Sequence, residues 1–151
     1  MELKDLLKRE NVEIIDSVKD WRDAIEIGTK KLIEQGYINH DYTEAIIKNA
    51  LDYNAYFVLC PGVALLHAES RNGVFETQLA INYVKESFKF EGKEDGVNLM
   101  ITLAAADGTT HMTAIQQIAM VLSDEANLQK ALNPKDADDL YNIFVNTKVE
   151  I

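Results

Sequence analysis

Of the side chains able to do chemistry, two histidines stand where chemistry is usually done. His67 closes the apolar run Val63 to Leu66 after a Cys60-Pro61-Gly62 turn, and His111 follows the run Val97 to Ala106 across Asp107-Gly108-Thr109-Thr110. A neutral imidazole, with an ordinary pKa of ~6.5, offers a lone pair near neutral pH and can act as a nucleophile without a separate strong base. An isolated imidazole after an apolar run is by default a packed or merely exposed residue. Its place at the end of a strand, where ligand-handling groups gather in α/β sheets, raises His67 above that default. His111 reads two ways. It lies in the first turn of an expected helix beside Thr109 and Thr110, and the unpaired N–H groups and positive dipole end of such a turn can hold a phosphate without a cluster of arginines. Equally, the threonines are simple caps and His111 is a solvated first-turn residue.

The remaining candidates carry less. His40 follows Asn39 near a helix start in polar surroundings, which suits a surface residue. The three histidines and Cys60 show none of the close-pair spacing of zinc ligands, so no metal is expected. Cys60 lies in an apolar run before Pro61, the setting of a buried inert thiol. The seven glycines are scattered, with no phosphate-cradling cluster at a strand-to-helix turn, so ATP is not the expected phosphoryl donor and no cofactor is called for.

These side chains must be positioned by one compact domain, 1–151, because 47% hydrophobic residues in 151 supply a single substantial core. A formal net charge of -10 without a Lys/Arg cluster argues against nucleic acid and favours a basic protein partner, unless the charge serves only solubility. The lone cysteine and the N-terminal MELKDLLKRE, which lacks a secretory apolar core, point to a reducing cytoplasm. The longest apolar stretch, Tyr56 to Leu66, is too short to span a bilayer and is broken by Pro61 and Gly62.

Periodicity supplies the elements. A short helix over Leu3 to Lys8 and a strand over Val12 to Ile15 open the chain. Amphipathic helices follow over Trp21 to Glu34, capped by Ser17 or Asp20 with Gly36 past its end, and over His40 to Tyr53, capped by Asn39 or Asp41. Tyr56 to Leu59 and Val63 to Leu66 read as buried strand. Val74 to Val84 and Ser87 to Phe90 are strand-like, and the charged loop Glu91 to Gly96 suggests a hairpin into Val97 to Ala106, an almost wholly apolar strand expected to be central and covered on both faces. A helix with a stripe of Met112, Ile115, Ile118, Ala119 and Leu122, and a last one from Pro134 to about Asn146, complete the reading. The class is α/β: a three-layer sandwich with helices on both faces of the sheet.

Two strings, YFVLCPGVALLHA from Tyr56 to Ala68 and NLMITLAAADGTTH from Asn98 to His111, together resemble the mannitol/fructose class of phosphotransferase-system IIA proteins, and within it the ascorbate-specific IIA proteins. The likeness covers nearly the whole chain, the early DSVKDWRDAIEIG included. It implies a mixed sheet flanked by helices and a cytoplasmic phosphocarrier. Phosphate would pass from HPr to His67, through Nε2, and on to a cysteine of the IIB partner, serving a membrane IIC component. His111 corresponds to the family's second histidine, which orients or neutralises the phosphoryl group. Two positions depart from the pattern: Leu66 stands where members commonly have Pro, and Glu69 and Ser70 come before Arg71, where many ascorbate-type members place an Arg sooner.

For such a relay the protein's task is alignment plus hydrogen bonds to the equatorial phosphoryl oxygens, for which Thr109, Thr110, His111 and Arg71 are the candidates. Because donor and acceptor are proteins, an apolar rim of Val63, Leu65 and Leu66 is expected to dock each in turn through a small, transient interface. The alternatives are a regulatory IIA-like module phosphorylated on the same histidine and an interaction domain that is not phosphorylated.

Overall fold

The computed structural model describes residues 2–52, 57–69, 72–90 and 92–146. Expectations that fall on Tyr53, Tyr56, Ser70, Arg71 and Glu91 therefore lie outside the described residues. The described elements run α1 (Leu3–Leu6), β1 (Leu7–Ile15), α2 (Trp21–Glu34), α3 (His40–Asp52), β2 (Val58–Cys60), β3 (Gly62–Leu66), β4 (Gln78–Phe88), β5 (Val97–Ala104), α4 (Gly108–Ser123), α5 (Glu125–Ala131) and α6 (Ala137–Asn146).

The strands form a mixed five-stranded sheet in the order β1-β4-β5-β3-β2. β1 is parallel to β4 and β3 to β5, whereas β4 and β5 are the expected antiparallel hairpin, with Phe88 opposite Val97. Strand alternation sends successive residues to opposite faces. Val63 and Leu65, with Leu99, Ile101 and Leu103, pack under α4, α5 and α6; Ala64 and Leu66, with Met100 and Ala104, pack under α2 and α3. The three-layer sandwich is thus the observed architecture.

Local chemistry sets the boundaries. Asp20, not Ser17, caps α2 by accepting from the Asp23 N–H, and Asn39, not Asp41, caps α3 by accepting from the Asp41 N–H at 3.0 Å. Gly62, at φ 89, makes the turn after Pro61 that joins antiparallel β2 and β3. Val74 to Val84 and Ser87 to Phe90 merge into the single strand β4, which starts only at Gln78. The last helix starts at Ala137 and not at Pro134, because Asp136 accepts from the Asp139 N–H at 2.8 Å and takes the cap. The helix α5 had no counterpart in the periodicity: its seven residues bury only Ala131 completely. On α4 the stripe is turned from the expected one, with Ala114, Gln117, Ile118, Val121 and Leu122 buried while Met112 is 55% exposed.

Val63, Leu65 and Leu66 do not form the expected docking rim. They are 0, 2 and 0% exposed, because β3 is an inner strand paired on both edges and covered on both faces. Among the described residues no helix is long and apolar enough to cross a membrane.

Candidate functional site

β3 and β5 are adjacent and parallel, so both chains leave the sheet on the same side; their last paired residues are Leu66 and Thr102. His67 is the first residue beyond β3, and β5 feeds through Ala105 to Asp107 into α4, whose first turn holds His111. The two imidazole rings lie with centroids 5.4 Å apart. They open on a cleft of about 550 Å³ lined by Asn49, His67, Ala68, Glu69, Ala105, Asp107, Gly108 and His111. Such a crevice beyond the carboxyl ends of parallel strands is where α/β sheets hold their ligands.

His67 is half-buried, with Phe57 edge-on to its ring at 5.8 Å. Its Nδ1 lies 3.2 Å from the Leu65 carbonyl oxygen. A carbonyl can only accept, so this contact is a hydrogen bond in the neutral tautomer protonated on Nδ1, in which Nε2 keeps the lone pair. His111 is held below the ordinary histidine range, first by burial and second by its proximity to His67. Both effects favour the neutral ring, which can donate one hydrogen bond and accept another.

The start of α4 differs from its expected role. Asp107, and neither Thr109 nor Thr110, is the cap: its carboxylate accepts from the Thr110 N–H at 2.7 Å and from the Thr110 hydroxyl at 3.0 Å. Those bonds hold the Asp107 carboxyl below its usual range. The Thr110 hydroxyl also lies 3.1 Å from that of Thr77, which accepts from the Ala106 N–H. Thr110 therefore fastens α4 to the loop before β4. Neither Thr109, which is exposed, nor Thr110 is among the cleft residues. Arg71 lies outside the described residues.

Asn49, Glu69 and Asp107 line the cleft without having been singled out from the sequence. Asn49 did carry a signal: it is a polar residue at the seventh position after Tyr42 and the third after Ile46, on the stripe that α3 otherwise buries. His40 lies apart, its Nε2 3.3 Å from a Glu26 carboxylate oxygen and its Nδ1 3.6 Å from Glu44 on the exposed faces of α2 and α3. Cys60 is packed against the core, where burial pushes its thiol up.

Comparison with known proteins identifies the family and the fold. The family model for the phosphoenolpyruvate-dependent sugar phosphotransferase system, EIIA 2, matches residues 5–147. The chain is 31% identical to the mannitol-specific cryptic phosphotransferase enzyme IIA component of Escherichia coli (strain K12), covering 95% of this chain and 98% of the relative. It is 29% identical to the ascorbate-specific PTS system EIIA component of Salmonella choleraesuis (strain SC-B67), covering 97% of each. The solution structure of the E. coli mannitol-specific cryptic enzyme IIA superposes with a TM-score of 0.91 at 30% identity, over 97% of this chain and all (100%) of that one. The fold is also that of E. coli enzyme IIA for mannitol solved in complex with phosphorylated enzyme IIB, at TM-score 0.81 and 19% identity over 94% of this chain and 100% of that one.

Proposed function

This chain belongs to the EIIA 2 family of the phosphoenolpyruvate-dependent sugar phosphotransferase system, and from that premise we propose that His67 is the residue on which it carries the phosphoryl group. The observation that supports this most is the pairing at the cleft: an imidazole whose Nδ1–H is engaged by the Leu65 carbonyl, with Nε2 left nucleophilic, 5.4 Å from a second, neutral imidazole. In the forward step the Nε2 lone pair attacks phosphorus in phospho-HPr. The new N–P bond forms as the bond from phosphorus to HPr breaks, and HPr keeps that electron pair. In the second step a cysteine thiolate of the IIB partner attacks phosphorus and the pair returns to Nε2.

His111 and the Asn49 amide are the groups placed to hydrogen-bond the equatorial oxygens, where a loose phosphoryl-transfer transition state concentrates charge. Docking falls to exposed apolar side chains that neighbour cleft residues in sequence. Met112, next to His111, and Leu51, two residues past Asn49, are 55% and 44% exposed and take the role first expected of Val63, Leu65 and Leu66. We assign the transported solute as ascorbate on the two motif strings; the mannitol-named relative, at 31% identity against 29%, is the competing reading.

Incubation with phosphoenolpyruvate, enzyme I and HPr should add one phosphoryl group, found by mass spectrometry on His67, and purified IIB should remove it. His67→Ala should keep the fold and take up none. Undiminished labelling of that variant overturns the assignment, and label that stays on the chain in the presence of IIB overturns the transport role. Uptake of labelled ascorbate against labelled mannitol in a strain lacking the gene decides the solute.

A further inference from the structure

Tyr42, on α3, is completely buried, yet its hydroxyl sits where the β3–β5 ladder stops. The last rung pairs Leu66 with Thr102. Beyond it the Ala68 N–H donates to the Tyr42 hydroxyl oxygen at 3.0 Å, and the hydroxyl donates to the Leu103 carbonyl at 2.6 Å. The Ala68 carbonyl lies farther off, at 3.3 Å. The phenol thus stands between the two chains as an inserted rung, one residue past the ladder on β5 and two past it on β3. Among the described residues, every polar atom the hydroxyl bonds belongs to the backbone that carries a histidine out of the sheet: Ala68 follows His67 directly, and Leu103 begins the stretch that leads through Asp107 to His111.

Resting on the reading of His67 as the phosphoryl carrier, we propose that Tyr42 is the positioning residue for transfer: its hydroxyl fixes the spacing of the two strand ends and so the mutual placement of His67 and His111. Burial pushes the phenol up to about 12, so it remains a donor throughout the physiological range. Without the hydroxyl, the Ala68 N–H and Leu103 carbonyl lose their shared partner, and nothing in this rung then holds the two strand ends at a fixed spacing. The side chain itself does not touch the reacting atoms; it acts through Ala68 and Leu103.

The experiment keeps this proposal separable from the reading beneath it. Wild-type protein with phosphoenolpyruvate, enzyme I and HPr is labelled first; absence of label on His67 overturns the carrier reading, and the role given to Tyr42 falls with it. Once labelling is established, Tyr42→Phe should lower kcat by ~10- to 100-fold with KM for phospho-HPr changed less than about two-fold, since alignment and not docking is lost. The nuclear Overhauser contact between the two imidazole rings should weaken in the same variant. Thr43→Val serves as control: it removes the neighbouring buried hydroxyl, bonded to Thr29 at 2.7 Å, without touching either strand end. Wild-type kcat in folded Tyr42→Phe, or an equal rate loss in Thr43→Val, overturns the proposal. If Tyr42→Phe does not fold, wild-type amide exchange decides: the Ala68 N–H should exchange as slowly as the ladder amides of β5, and exchange at an open-chain rate overturns the inserted rung.

Discussion

Leu66→Ala tests whether the strand that delivers His67 is core or docking surface. Leu66 is 0% exposed in the cluster under α2 and α3, and its Cδ1 lies 3.5 Å from where a Cβ on Gly28 would stand. Truncating a fully buried leucine loses transfer free energy and leaves a cavity, together about 2.7–5 kcal/mol. At this chain length that corresponds to a fall in Tm of roughly 5–20 °C. Leu65, 2% exposed, packs on the opposite face against Leu99 and Ile101, so its own truncation should cost a similar amount and the two should nearly add. The double variant would lose about 5–10 kcal/mol of a net stability of roughly 5–15, and most of it should be unfolded at growth temperature. Urea denaturation supplies the free energies. Transfer kinetics corrected for the folded fraction should give an unchanged KM for phospho-HPr. Met112→Ala and Leu51→Ala should behave oppositely, shifting stability by no more than about 0.5 kcal/mol while raising KM. A Leu66→Ala protein with the wild-type denaturation midpoint and a raised KM would refute the burial argument.

Three further perturbations have defined outcomes. His111 binds its proton less readily folded than unfolded, so its contribution to stability is lost as pH falls from the unfolded pKa, ~6.5, through the lower folded value, and the loss then levels off; urea midpoints across that window should slope less in His111→Gln, and an unchanged slope removes the burial account. Gly73 sits at φ 116 with the space for a Cβ only 2.1 Å from the Asn39 side-chain oxygen that caps α3; Gly73→Ala should cost about 1–3 kcal/mol by denaturation, and a neutral result would mean that the cap tolerates displacement. Asp107→Ala removes the acceptor of the Thr110 N–H, so that amide should exchange faster with deuterium while Asp107→Asn retains most of the protection; equal exchange in all three proteins would deny the cap.

Much of this molecule is legible from local chemistry. The spacing of Trp21, Ala24, Ile25 and Leu32, with Asp20 before and Gly36 after, specifies α2 because a helix repeats every 3.6 residues whatever it packs against. The run Val97 to Ala106 announces a doubly covered strand, and His67 and His111 announce themselves by type and by the motifs around them. Spatial neighbours decided the rest. Val63, Leu65 and Leu66 look the same in sequence whether they face a partner or a core, and only the placement of β3 between β5 and β2 puts them inside. Thr109, Thr110 and Asp107 are all competent caps; backbone geometry at the exit from β5 chose the aspartate. That His67 and His111, 44 residues apart in number, share one cleft follows from β3 and β5 being parallel neighbours. Periodicity within a strand records which face is buried and carries no record of which strand lies beside it, so pairing, and with it the site, belongs to the tertiary structure.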